Sequence, residues 1–347
     1  MPLNLRHPTS DHVPSPPEPW LVADIGGTNA RFGAVFDLGQ GVEHVQNLLV
    51  AEHGGPAAAV TAYLDQLART VGPHYRAPRH AAFAVATAVV GDEIDFTNST
   101  WKFSRAAVQS QLHLDSLLAI NDFEALALSL PRLLPSQIRA HGATPANTGM
   151  LAVVGPGTGL GVAGVKQTAH GWVAIPGEGG HATLAAGDEF EAALLTLLRA
   201  RYDHVSAERL LSGIGLPLLY SAISDVMGVH ATERSAQQIL HDGIARTDEV
   251  SDCTLSTFCS LLGGFCGNVA LTLGARGGLY VGGGIVPRLG ERFFASKFQD
   301  RFVAKGRFEA YLRAIPTAVI TDTHAALTGA LAAIAQHRAV PQRIAGR

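Results

Sequence analysis

Three glycine turns and a small set of acids carry whatever chemistry this chain performs. Gly26-Gly27-Thr28-Asn29 follows an apolar run at 21–25 that only Asp24 interrupts. A second turn alternates Gly155, Gly157, Gly159 and Gly161 around Thr158, with Gly157-Thr158 lying 130 residues after Gly27-Thr28. Consecutive backbone N–H groups left uncovered by glycine form an anion-binding concavity, and the threonine hydroxyl adds a donor. One such turn from each half of the chain would grip a polyphosphate from both sides. Asp24, just before the first turn, stands where a carboxylate would hold Mg²⁺ through water, since magnesium takes one or two carboxylates plus phosphate oxygens. It reads equally as a strand-end carboxylate bonded to turn amides.

The remaining polar residues suit a hydroxylated partner. Asn121-Asp122 ends a short apolar run, the place where α/β proteins put ligand chemistry. A fixed Asp is the usual acceptor for the proton of a hydroxyl nucleophile in phosphoryl transfer; Asp122 would also N-cap a helix beginning at Phe123. Glu178-Gly-Gly-His181 sets an acid and an imidazole on a glycine-flexed loop. Carboxylates and amides pair well with neighbouring sugar hydroxyls, although a solvated loop has the same composition. Glu208 either joins that set or opposes the dipole of a helix starting near it. Asn98 in FTNSTW is a sugar-side residue or a turn residue. Gly282-Gly283-Gly284 would let backbone lie against a flat purine, or would simply turn a strand into a helix. No G-x-x-x-x-G-K-[ST] occurs, and Leu160 breaks any G-x-G-x-x-G in the second turn.

The elements that must position these residues follow from periodicity. Residues 21–25 and 31–36 read as a hairpin, and 151–165 as another. The shared pattern of apolar strand, glycine turn and apolar strand either reflects two related α/β halves or two unrelated turns that both need glycine. Val60, Tyr63, Leu64, Leu67 and Val71 fall at helical spacing before Gly72-Pro73. Strands are predicted over 81–90, 117–120 and 278–281, and helices over 123–130, 188–201, 207–225 and 325–335. The last is rich in small residues and must pack closely on a neighbour.

Composition narrows the class. The chain has 347 residues, 47% hydrophobic and 16% charged, enough for two domains with buried cores. A net charge of −3 with no basic run argues against nucleic acid and anionic membrane. Cys253, Cys259 and Cys266 suit neither a disulfide framework nor a zinc site and read as buried small hydrophobes in a reducing cytoplasm. No uninterrupted apolar stretch of 18 residues predicts a transmembrane helix, and the first residues lack the apolar segment of a secretory signal. Residues 1–19 hold six prolines and read as a disordered tail.

In their order, DIGGTNAR (24–31), FTNSTW (96–101), INDFEALAL (120–128), GPGTGLG (155–161), PGEGGH (176–181), HVSAERLLSG (204–213) and GGGIVPR (282–288) closely resemble the bacterial glucokinase family, of the hexokinase/actin/Hsp70-like ATPase superfamily. The resemblance spans about residues 20–335. It implies an α/β fold of two actin-like ATPase (ribonuclease H-like) domains with an interdomain cleft: a small domain of 20–132 plus 323–347 and a large one of 133–322. It implies ATP and Mg²⁺, glucose as acceptor and a homodimer. It makes Asp122 the general base and puts Asn98, Asn121, Asp122, Glu178, His181 and Glu208 on the sugar. Asp24, Gly26, Gly27, Thr28, Asn29, Gly157, Thr158 and Gly159 become the phosphate side, with Asp24 toward the metal, and Gly283 and Gly284 the adenosine side. The cysteine-rich zinc motif of the other bacterial sugar-kinase group is missing, and Pro156 and the proline-rich tail depart from the family pattern. A kinase for another hexose, a sugar-binding regulator without turnover, and a sugar-independent ATPase are the competing readings.

Overall fold

A computed structural model describes residues 19–37, 39–96, 101–230 and 232–339. The first half runs β1 (Trp20–Ile25), β2 (Asn29–Val35), β3 (Glu43–Leu49), α1 (Pro56–Val71), β4 (His80–Val85), β5 (Glu93–Asp95), β6 (Lys102–Ser104), α2 (Arg105–Gln111), β7 (Ser116–Asn121) and α3 (Asp122–Ser129). The second runs β8 (Ile138–His141), β9 (Met150–Pro156), β10 (Leu160–Thr168), β11 (Gly171–Gly177), α4 (Glu189–Arg199), α5 (Leu216–Met227), α6 (Ala236–Ala245), α7 (Glu249–Leu273) and β12 (Gly278–Val281). Short helices α8 (Val286–Leu289), α9 (Glu291–Phe294), α10 (Phe298–Val303) and α11 (Glu309–Arg313) lead to β13 (Thr317–Ile320) and α12 (Ala325–Ala339).

The strands form two main sheets, ordered β3-β2-β1-β4-β7 and β11-β10-β9-β12-β13-β8. Each has an antiparallel three-strand meander whose first strand pairs parallel with the next strand in the row, β1 with β4 and β9 with β12; β4 and β7, and β12 and β13, are likewise parallel, and β8 adds an antiparallel edge. Of the two readings of the glycine hairpins, this repeated plan bears out the related halves.

The central strands are apolar because both faces of their sheets are covered, whereas the edge strands β3 and β11 have no buried residue. In β1 every residue but Asp24 is buried. Tyr63 and Leu67 of α1 join one face of the first sheet, and Leu327, Leu331 and Ile334 of α12 cover Trp20, Val22 and Ala82 on the other. Helix α3 packs with β9 and β10 residues of the second sheet, whose far face carries α4 to α7 and α10. Helices α3 and α12 therefore lie between the sheets. Their axes come close because the carbonyl of Ala125 fills the space a Cβ on Gly329 would need, 1.7 Å away.

Two expectations need correction. The strand expected over 81–90 ends at Val85, where Thr87 N–H turns back to the Val85 carbonyl at 2.8 Å. The helix expected over 207–225 starts only at Leu216, because Gly213 and Ile214, whose N–H groups would bond back within a continuous helix, donate instead to Gly157 O at 2.8 Å and Thr158 O at 3.5 Å, and Pro217 sits in the first turn of α5. Helix α7 is, by length and composition, apolar enough to cross a membrane, yet 78% of its apolar window is buried inside the protein. It is the central helix of the larger core, and it carries all three cysteines, none in a disulfide.

Candidate active site

The first glycine turn is closed by Gly26 N–H donating to Asn29 O at 2.9 Å. It is braced by Val50 N–H on Thr28 O at 2.9 Å and by Asn47 Nδ2 on Asn29 Oδ1 at 3.0 Å. Asp24 and Arg31 face each other across the β1–β2 register and pair at 3.0 Å. Burial pushes the Asp24 carboxyl up; the Arg31 charge and hydrogen bond, with His324 behind them, pull it down but do not win. Only Asp24 Oδ2 is taken, leaving Oδ1 without a hydrogen-bond partner among the described residues.

The second turn is tighter. Gly157 N–H donates to Gly159 O at 2.8 Å, and Gly213 N–H to Gly157 O at 2.8 Å. A Cβ on Gly157 would meet nothing within 4 Å, whereas one on Gly159 would lie 2.5 Å from Glu208 Oε2. The third glycine turn leans on the second through Gly282 N–H to Val154 O at 2.9 Å and Ile285 N–H to Pro156 O at 3.3 Å. Gly283 has φ +76°, and a Cβ there would meet Pro156 O at 2.3 Å, so glycine is required twice over. A Cβ on Gly284 meets nothing within 4 Å.

At the end of β7 the cap differs from the sequence expectation. Asn121, rather than Asp122, is the N-cap: its Oδ1 accepts from Phe123 N–H at 2.9 Å and Glu124 N–H at 3.3 Å. Its Nδ2 donates to Thr87 O at 3.1 Å, which leaves one amide proton for a ligand. Asp122 is the first residue of α3, and only its Oδ1 is engaged, by Phe123 N–H at 2.9 Å. Burial pushes its carboxyl up to about 7 from the ordinary 3.8, helped by the negative charges of Asp24 and Glu178 and opposed by backbone N–H groups. Such a carboxyl changes state near neutral pH, as a general base requires.

Glu208 holds two segments together. Its Oε2 accepts from Leu160 N–H at 2.8 Å beside the second turn, its own N–H donates to Gly180 O at 2.9 Å, and its Oε1 lies 3.9 Å from His181 Nδ1. Glu208 is therefore not in a helix at all. Gly180 is pressed on β10, where a Cβ would be 1.9 Å from Leu160 O, which fixes the 176–181 loop over the sheet. Glu178 is exposed there and accepts His181 N–H at its carbonyl, at 3.1 Å. Asn98 lies outside the described residues. Sequence reasoning passed over Arg31 as the partner of Asp24 and Phe123 as the neighbour of the second turn; Arg31, two positions past Asn29 on β2, was visible as a cation of the first motif.

No group of three or more His, Cys, Asp or Glu arranged to hold a metal exists among the described residues. A single carboxylate beside a phosphate-binding turn suits an ion that keeps most of its water. A cavity of about 400 Å³ between α4 and α7, lined by Glu191, Cys253, Thr257 and Arg292 among others, includes none of the candidate site residues.

The model of one family, glucokinase, matches residues 21–337. The chain belongs to the glucokinase family. Among its relatives, a glucokinase of Paramagnetospirillum magneticum is 45% identical over 311 residues, 89% of this chain and 95% of that protein. The crystal structure of a glucokinase from an Antarctic psychrotroph has TM-score 0.82 at 37% identity, covering 92% of this chain and 99% of that one. A glucokinase of the ROK family from Streptomyces griseus, solved in complex with glucose and AMPPNP, shares the fold with TM-score 0.55 at 16% identity over 90% and 98% of the two chains. The fold of the family is the two-domain actin-like ATPase fold, and the repeated sheets described above are its two halves.

Proposed function

We propose that this member of the glucokinase family moves the γ-phosphoryl group of ATP to the 6-hydroxyl of glucose, with Asp122 as the general base. The observation that carries the assignment is the Asp122 carboxyl: first residue of α3, one oxygen uncommitted, titrating near neutrality between Asp24 and Glu178. Asp122 Oδ2 takes the hydroxyl proton as the oxygen attacks phosphorus. Asn121, through its remaining amide proton, binds the sugar together with Glu178, His181 and Glu208, and Asn98 completes the set. The second turn, Gly157 to Gly159, and the first turn, Gly26 to Asn29, lie against the phosphates and present the N–H groups left over once Gly157 N–H has closed on Gly159 O and Gly26 N–H on Asn29 O, and the open face at Gly284 takes the adenosine with Gly283. Asp24 would hold Mg²⁺ through water, and the ion, when bound, would neutralise charge on the phosphates. Positioning and electrostatics account for most of the catalysis in such a transfer.

The domain division we propose is 20–132 with 323–347 against 133–322, closing over the sugar to exclude water. The assembly is a homodimer in the cytoplasm, as the family resemblance implies. The deciding experiment is ADP release from ATP·Mg²⁺ with and without each of a panel of hexoses. Strong stimulation by glucose above the others is expected. Stimulation by another sugar would move the specificity, and none by any sugar would leave a regulator or a plain ATPase.

A further inference from the structure

The four glycines of the 155–161 hairpin have different reasons to be glycine. Gly157 faces open space and Gly159 faces the Glu208 carboxylate. Gly155 and Gly161 face neither: a Cβ on Gly161 would lie 2.1 Å from Phe123 Cδ2 and Cε2, and one on Gly155 would lie 2.5 Å from Phe123 Cζ. Both gaps are filled by a single ring, carried by the second residue of α3. One turn further along α3, Leu126 Cδ2 lies 3.0 Å from where a Cβ on Gly282 would stand. The helix that begins with Asp122 therefore rests on glycines of two of the three glycine turns.

We propose that Phe123 is a positioning residue: its ring, keyed over Gly155 and Gly161, registers the first turn of α3, and with it the Asp122 carboxylate, against the second phosphate-side turn. The inference rests on the reading of Asp122 as the base. Asp122 enters from the first sheet and the 155–161 turn belongs to the second, so base and phosphates are aligned only as well as the two halves are. Among the α3 contacts with the second sheet, Phe123 is the one next to Asp122 in the chain. Its backbone reinforces the link, since its N–H donates to both Asn121 Oδ1 and Asp122 Oδ1, each at 2.9 Å. The methyl that alanine would add at Gly161 or Gly155 would displace the ring and swing the carboxylate with it.

The test is steady-state kinetics on Phe123→Leu, Phe123→Ala, Gly161→Ala, the double variant Phe123→Ala/Gly161→Ala, and Asp122→Asn. A misplacement of about 1 Å costs on the order of 10²-fold in rate. Phe123→Ala is expected to lose about that much kcat while the KM values for glucose and ATP stay within about threefold, and Phe123→Leu, which keeps most of the volume, to retain an intermediate kcat. Gly161→Ala alone is expected to lose kcat, but to cost nothing further in the Phe123→Ala background, where the ring it collides with is gone. Independent, multiplying losses in the double variant, or a Phe123→Ala enzyme with kcat within about threefold of the parent, would overturn the proposal. If Asp122→Asn itself keeps its kcat, the base assignment falls and the inference with it. If Asp122→Asn loses turnover and Phe123→Ala does not, the inference alone falls.

Discussion

Replacing Asp122 by asparagine should cost activity and add stability, and the second effect has a pH signature. In the folded protein the carboxyl titrates at about 7 against an ordinary 3.8. At about 1.36 kcal/mol per tenfold, holding it ionised at pH 8 costs up to about 4 kcal/mol. The carboxyl is only partly buried, so solvent takes about half and leaves a cost of about 2 kcal/mol. The group is raised, so the folded state holds the proton more tightly than the unfolded one. Its contribution is intact below pH 3.8 and is lost progressively as pH climbs through 7. The Asp122→Asn protein should therefore outlast the parent at pH 8 by about 2 kcal/mol, on the order of 5 °C in apparent Tm. The advantage should shrink below about 1 kcal/mol at pH 5, where the parent is already neutral at this site. In parallel, kcat should fall by on the order of 10²–10⁴-fold. Thermal melts of both proteins at pH 5 and pH 8, beside ADP-release rates, measure both. A gap in Tm that does not change with pH, or an asparagine variant less stable at pH 8, would refute the claim that the fold holds this carboxylate at a cost.

Three more expectations follow from the geometry. Gly283→Ala, at φ +76° with Pro156 O in the way, should lose about 1–3 kcal/mol in denaturant melts, while Gly284→Ala, whose methyl meets open space, should leave stability within about 0.5 kcal/mol. Arg31→Gln removes the charge that opposes the rise of the Asp24 carboxyl; the KM for ATP·Mg²⁺ should rise, more toward acid pH than toward alkaline pH, with the glucose KM unchanged. Burial holds the Cys259 thiol at about 11 and Cys266 higher still, and Cys253 is half-buried and raised; a thiol reagent at pH 7.5 should modify at most one cysteine before denaturation and all three after.

What the sequence disclosed and what it withheld divide along range of contact. The two glycine hairpins, the strand into Asn121-Asp122 and the small-residue terminal helix were legible because local apolar runs and turn residues determine them. The choice of cap was not: Asn121 and Asp122 are both good caps, and the pairing of β7 with β4, which carries Asn121 opposite Val85, decides it. The 207–215 segment has helical spacing, but its Gly213 and Ile214 donors are claimed by carbonyls of the second glycine turn, a competition between segments that periodicity does not register. Likewise, Gly155 and Gly161 read as turn-formers until the Phe123 ring, more than thirty positions earlier in the chain, is seen to occupy their missing side chains.

The position of α12 has a consequence for the making of the protein. The face of β1 that holds Trp20 and Val22 is covered by Leu327, Leu331 and Ile334, roughly 300 residues later. At about 5–20 residues per second of translation, the first strand leaves the ribosome some 15–60 s before its cover exists. Through that interval the first sheet presents an apolar face to everything in the cell, and a message cut short before Ala325 would leave it uncovered for good. The nascent chain, rather than the finished enzyme, is the form of this protein most in need of a chaperone.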